Sequence, residues 1–148
     1  MTYKGENSTY TNLMIKWAKD LFPISRSITG SGSKETIRYL KNINDELKII
    51  KFKSGQKVFD WKIPPEWDIS EAYIEHDSGA RFAEFSKNNL HILYYSTPVN
   101  TVLSREKLIP HIYTQPEQPD RIPYVTSYYK KRWGFCMSEN QKKKLPNG

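Results

Sequence analysis

Three histidines, one cysteine and two aspartates beside a double proline are the residues whose types lend themselves to catalysis. His76, His91 and His111 lie in separate segments, with none of the HExxH or HxH spacings that bring two imidazoles onto one metal. Cys136 needs a neighbouring base to act as a nucleophile. Its position between Phe135 and Met137 reads instead as a small buried hydrophobe. His76 falls in a solvated turn, His91 in an apolar strand with its ring hydrogen-bonded to backbone, and His111 at a helical end. Asp60 and Asp68 flank Pro64-Pro65. Paired carboxylates can do acid/base work, but Asp68 is better placed to cap Ser70 or the turn backbone. The sequence therefore assigns no catalytic residue and no metal ligand.

Binding chemistry is better represented. The connector PISRSITGSGS, from Pro23 to Ser33, offers Arg26, Ser27 and Thr29 as substrate- or partner-facing groups. It is not a phosphate-binding loop, because GxxxxGK[ST] is absent and no Lys follows the final Gly. The second place is IPYVTSYYKKRWGFC, from Ile122 to Cys136, where Tyr128, Tyr129, Arg132 and Trp133 combine aromatic faces with cationic donors. Such a set can stack on single-stranded nucleic acid, yet no helix-turn-helix, zinc-finger or RRM signature accompanies it. Tyr129, Arg132 and Trp133 are expected to face a cleft, and Val125, Phe135 and Cys136 to pack.

The elements that must hold these groups follow from periodicity. Leu13, Met14, Trp17, Ala18 and Leu21 recur at helical spacing, and Pro23 ends that helix. Ser33 is expected to cap a second helix whose face is Ile37, Leu40, Ile43 and Leu47, with Glu35 in its first turn. KIIKFK, residues 48–53, reads as a strand, as do Val58–Ile63, Ala72–Glu75, Arg81–Phe85, Leu90–Tyr95 and Tyr124–Tyr129. His76–Gly79 and Asn88-Asn89 read as turns, SREKLIPHIY as a short helical turn, Thr114–Pro123 as a stiff loop, and Glu139–Leu145 as a last helical turn. The implied class is α+β: two N-terminal helices, then a small β-rich, mainly antiparallel domain.

Composition narrows the classes further. With 37% hydrophobic and 14% aromatic residues in 148, the chain can build a core and is not generally disordered. No apolar run is long enough to span a membrane, and no secretory leader is evident. A single cysteine precludes an internal disulfide, which suits a cytoplasmic setting. The net charge of +7 is concentrated from Arg121 to Gly148, where seven Lys or Arg face one acid, Glu139. That basic end reads as solvated lysines rather than a nucleic-acid tail.

FPISRSITGSGSKET, VFDWKIPPEWDISEAYI, LHILYYSTPV and IPYVTSYYKKRWGFCMSENQKKKLPNG together resemble the N-terminal part of a bacterial M28-like zinc aminopeptidase-like family, often encoded near surface-polysaccharide genes. The resemblance implies an α/β peptidase-like domain interrupted by a small inserted domain of unknown function. It implies a partition into residues 1–52 as the helical start of an incomplete peptidase-like domain, 53–140 as the insert, and 141–148 as a basic tail. The family's zinc ligands are expected beyond Gly148. No cofactor is therefore expected in this chain, and zinc is implied for the longer parent. This chain alone would be inactive, with the insert shaping substrate access or assembly. The implied partners are the remainder of the peptidase-like domain, a peptide or amide substrate of the parent, and a homo-oligomer. The alternative is an autonomous glycan-, peptide- or protein-binding module. Without its sheet, the helical start would leave apolar faces at Trp17 and Leu21 uncovered.

Overall fold

The computed structural model describes residues 6–128 and 130–146. The chain divides into two compact units, Met1–Asp68 and Ile69–Gly148.

The first unit holds α1 (Glu6–Leu21) and α2 (Ser31–Ile43). Asp20 ties them together, accepting from Lys16 Nζ at 2.6 Å and from Tyr39 OH at 2.5 Å. Those two donors, Lys16 first, hold its carboxyl below the usual range. The second helix starts three residues earlier than expected. Gly30 is its N-cap, and Glu35 lies beyond the first turn. Ser33 does not cap it; its hydroxyl donates back to the Ser27 carbonyl. The cap is supplied from far along the chain, by Asp68 Oδ1, which accepts from Ser31 N at 2.7 Å and Ser31 Oγ at 2.6 Å. Asp68 thus caps a helix, as its residue type suggests, but not at Ser70.

After α2 the expected strand 48–53 is absent. Val58–Ile63 is a hairpin rather than one strand. β1 (Lys57–Val58) pairs antiparallel with β2 (Trp61–Lys62), and Val58 faces Trp61. The chain reverses at Phe59-Asp60, where Phe59 takes φ 54°, a left-handed conformation that tight hairpins demand and phenylalanine rarely supplies.

The second unit opens with β3 (Ile74–Glu75) antiparallel to β4 (Arg81–Phe82). The expected turn between them is present, with Gly79 at φ 82° and His76 N donating to Ala80 O at 2.9 Å. Leu90–Tyr95 is not a strand. Asn88 caps a 3-10 turn over Asn89–His91 by accepting from Leu90 N at 3.0 Å. Among the described residues only single bridges follow, Ile92 to Phe135 and Tyr94 to Thr126, so residues 124–128 of the expected strand Tyr124–Tyr129 form none, and Tyr129 lies outside the described residues. Then come α3 (Arg105–Leu108), a 3-10 turn over Ile109–His111, β5 (Ile112–Tyr113), β6 (Phe135–Cys136) and α4 (Glu139–Lys143). The last helix is closed by a capping box in which Ser138 and Gln141 satisfy each other's backbone N–H.

The fold is α+β as expected, and its sheet content is mixed. Two hairpins are antiparallel, whereas the buried pair β5–β6 is parallel, Ile112 facing Phe135 and Tyr113 facing Cys136. Around that pair Ala83, Ile112, Phe135, Met137 and Leu145 form the core. Leu93 and Cys136 are fully buried nearby. Among the described residues no helix is long and apolar enough to cross a membrane.

Candidate functional site

The connector of the first unit places all three of its singled-out side chains in structural bonds. Arg26 Nη1 donates to Leu21 O at 2.8 Å, satisfying a carbonyl at the end of α1. Ser27 is buried, and its Oγ donates to Trp67 O at 2.9 Å. Thr29 Oγ1 donates to Pro65 O at 3.1 Å. Together with the Asp68 cap and the Lys34–Glu66 ion pair at 2.7 Å, these bonds fasten residues 26–34 to residues 65–68. The glycines here permit packing. A Cβ on Gly32 would lie 1.9 Å from the Ser25 carbonyl oxygen, so the backbone approaches too closely for any side chain.

In the second unit the aromatic-basic stretch forms a half-buried cluster. Tyr129 lies outside the described residues. Trp133 stacks on His111, with ring centroids 3.6 Å apart and planes 4° apart, and also packs against the core. His111 Nδ1 donates to the Trp133 carbonyl at 3.2 Å. Arg132 Nη2 donates to Thr126 O at 3.0 Å, and its guanidinium stands 5.4 Å from the Tyr113 ring centroid. Its Nε is buried with no partner among the described residues. Tyr128 meets Tyr95 edge-on at 4.8 Å. Tyr95 itself sits at φ 64°, a conformation costly for an aromatic residue, while Ser127 Oγ donates to its carbonyl at 3.0 Å. The structure therefore pairs Tyr128 with Tyr95, Trp133 with His111 and Arg132 with Thr126 and Tyr113, and neither Tyr95 nor His111 was assigned to this stretch from the sequence. His111 and Trp133 lie 22 positions apart, and no local pattern joins them.

The other reactive groups are spoken for. His91 is buried, and Nδ1 donates to the Cys136 carbonyl at 2.8 Å, the backbone bond its apolar setting suggests. It lines a recess of about 220 Å³ with Arg81, Glu84, Lys87 and Gln141. His76 Nδ1 accepts from Ser78 N at 3.2 Å within its turn. Burial pushes the Cys136 thiol up to about 11, far from the thiolate a nucleophile requires. Asp60 lies at the exposed hairpin turn and Asp68 is occupied at α2. Among the described residues no three His, Cys, Asp or Glu side chains converge as metal ligands, so the donors present do not fit a zinc centre.

The family model of a domain of unknown function, DUF2172, matches residues 66–148, and the chain belongs to that family. The match begins within three residues of the boundary between the two compact units. A Clostridium acetobutylicum protein described as a candidate polysaccharide biosynthesis protein with an aminopeptidase-like domain is 45% identical over 123 residues. That alignment covers 83% of this chain and 28% of the relative. A crystal structure of a candidate peptidase from Clostridium acetobutylicum superposes with a TM-score of 0.89 at 42% identity, covering 96% of this chain and 34% of the other. This chain thus spans about a third or less of the relatives it matches, and it resembles the part of an aminopeptidase-like protein that carries the domain of unknown function.

Proposed function

We propose that this chain is the non-catalytic N-terminal region of a zinc-dependent aminopeptidase-like hydrolase acting in the cytoplasm, in a polysaccharide-biosynthesis setting. In this reading residues 1–52 begin a peptidase-like body, residues 53–140 are a small domain inserted in it, and residues 141–148 are a basic tail. The inserted domain shapes substrate access or assembly over that body's cleft. The observation that carries the reading is the distribution of burial. Every residue of the packed apolar core lies in the second unit, while the first exposes Met14, Ile15, Phe22, Ile28, Ile37, Leu40 and Ile43. Apolar surface of that extent is kept for a partner. Zinc and its ligands belong, in this reading, to the body that the much longer relatives carry.

The test is hydrolysis of aminoacyl amides by the protein expressed from its complete reading frame. Arg132→Ala should raise KM several-fold while lowering the melting temperature by no more than a few degrees, because the half-buried guanidinium is anchored through Nη2 to the Thr126 carbonyl and keeps Nη1 as a donor for a ligand. Full activity in that variant would remove Arg132 from the cleft. Trp133→Ala is the poorer probe, since Trp133 also packs against the core.

A second reading has one observation in its favour. The second unit has its own core and closing helix, as a free-standing glycan-, peptide- or protein-binding module would. Partner affinity retained after removal of residues 1–47 would support it.

A further inference from the structure

The recess of the second unit, about 220 Å³, shares no lining residue with the stretch 122–136. Its most buried groups are His91, Ala83 and Met137, exposed by 7%, 8% and 1%. His91 Nδ1 donates to the Cys136 carbonyl at 2.8 Å, and Nε2 has no hydrogen-bond partner among the described residues. Nor is Nε2 one of the fully occluded polar atoms, so the space it meets is the recess. Ala83 sits at φ 48°, a left-handed conformation that is costly for a residue with a side chain and that collects at ligand sites. Half-buried Phe82 adds aromatic surface.

The remaining lining is polar and already charge-matched. Lys87 Nζ donates to the Glu84 carboxylate, whose side chain is only 16% exposed. Arg81 Nε donates to Glu75 Oε2 at 2.7 Å, and its guanidinium lies 3.9 Å from the Tyr73 ring centroid. Gln141 Oε1 accepts from Ser138 N at 2.9 Å in the capping box, which leaves its amide NH2 as a donor for the recess it lines. An anionic ligand would have to displace Glu84 or Glu75 from a cation. A wholly apolar one would cover His91 Nε2 and the Gln141 amide without pairing them. A neutral ligand with C–H groups on its faces and hydroxyls around its edge incurs neither cost, because each hydroxyl both donates and accepts. We infer that this recess binds one residue of a neutral sugar, with its C–H face on Phe82 and Met137 and its hydroxyls on His91 Nε2, Gln141 and the Lys87–Glu84 pair. The volume is below the roughly 300–1,000 Å³ that drug-sized ligands fill, which suits a single ring. The inference rests on the binding-module reading, to which it gives a site and a ligand class, and it is independent of amide hydrolysis.

The experiment is a titration of the nitrogen-labelled 148-residue chain, followed by NMR, with the methyl glycosides of glucose, galactose, mannose and N-acetylglucosamine. At least one glycoside should shift the His91 imidazole and Gln141 side-chain amide signals together. Its dissociation constant should be on the order of 1 mM, the range open to a ligand of about a dozen heavy atoms. Because the lining is charge-matched, that constant should hold as salt is raised. Gln141→Glu keeps the capping acceptor for Ser138 and removes the amide donor, so binding should weaken roughly 3- to 10-fold, as the loss of one or two hydrogen bonds does. His91→Asn keeps a donor for the Cys136 carbonyl and removes Nε2, and should weaken binding to a similar degree. If that variant fails to fold, Gln141→Glu alone decides. Absence of the paired shift with every glycoside overturns the inference, and so does unchanged affinity in Gln141→Glu. The same shifts produced by inorganic phosphate and abolished by salt also overturn it, making the recess an anion site. Failure here beside partner affinity retained after removal of residues 1–47 removes the sugar site and keeps the module.

Discussion

Met1–Asp68 and Ile69–Gly148 draw on the same kinds of side chain and put them to opposite use. The second unit folds Leu93, Cys136 and Met137 to 0%, 0% and 1% exposure around a parallel pair. The first builds the two longest helices of the chain, yet leaves Met14 at 65% and Phe22 at 70% exposure. Its order comes instead from polar fastenings: Asp20 between the helices, Asp68 on α2, and Ser27, Thr29 and Lys34 on residues 65–67. Hydrogen bonds and caps fix geometry but contribute only about 1 kcal/mol each, whereas a buried core contributes several times that through apolar area. On the proposed reading, a unit held by caps is shaped for a partner. A unit held by a core stands by itself.

The sharpest way to break that comparison is to make matched truncations. Leu93→Ala should cost about 2–5 kcal/mol in urea unfolding, since it empties a fully buried site. Ile50→Ala in the 148-residue chain should stay within ~0.5 kcal/mol. Equal losses would mean that the first unit has a core of its own. Next in size is Gly134→Ala. A Cβ there would lie 2.6 Å from the His111 carbonyl oxygen and 2.7 Å from Tyr113 Cε2, so about 1–3 kcal/mol should be lost as the neighbours shift. An unchanged urea midpoint would show that the aromatic patch is looser than its stacking implies.

The smallest effect concerns the first unit's cap. Asp68→Ala should lower the stability of α2 by about 0.5–2 kcal/mol, visible as lost helicity. The Ser31 side-chain and backbone donors hold the Asp68 carboxyl below its ordinary value. Its contribution is therefore fully present above the unfolded carboxyl value and fades as pH falls through the lower, folded one. The helicity of Asp68→Asn should lack that acid-side dependence, and an identical acid limb in both proteins would locate the sensitivity elsewhere.

What could be read in advance follows how local the cause is. Both long helices and the last short one come from spacing and capping within a few residues and are present, but α1 begins at Glu6 rather than near Leu13, α2 ends at Ile43 rather than Leu47, and α2 is capped three residues early. That displacement has a nonlocal cause: Asp68, 37 positions away, outcompetes Ser33 as the cap. Leu90–Tyr95 has strand composition, but Asn88 turns its first residues into a 3-10 helix. Residues 48–53 have strand composition too, and the first unit offers them no edge. The apolar cost foreseen at Trp17 and Leu21 falls elsewhere. Those two are half-buried, and Met14, Ile15 and Phe22 carry the exposure. His91 and Cys136 behave as their apolar neighbours suggest. The contact of His111 with Trp133 was invisible because tertiary folding alone creates it.

The independence of the two units can be read with two probes in one urea titration of the 148-residue chain. Far-ultraviolet helicity reports mainly α1 and α2, with 16 and 13 residues against 4 and 5 in the second unit's α-helices. Alkylation of Cys136, wholly buried and with its thiol raised to about 11, reports opening of the second unit's core. The account predicts that most helicity is lost at lower urea than the onset of alkylation. Coincident transitions, with helicity persisting until Cys136 becomes reactive, would contradict it.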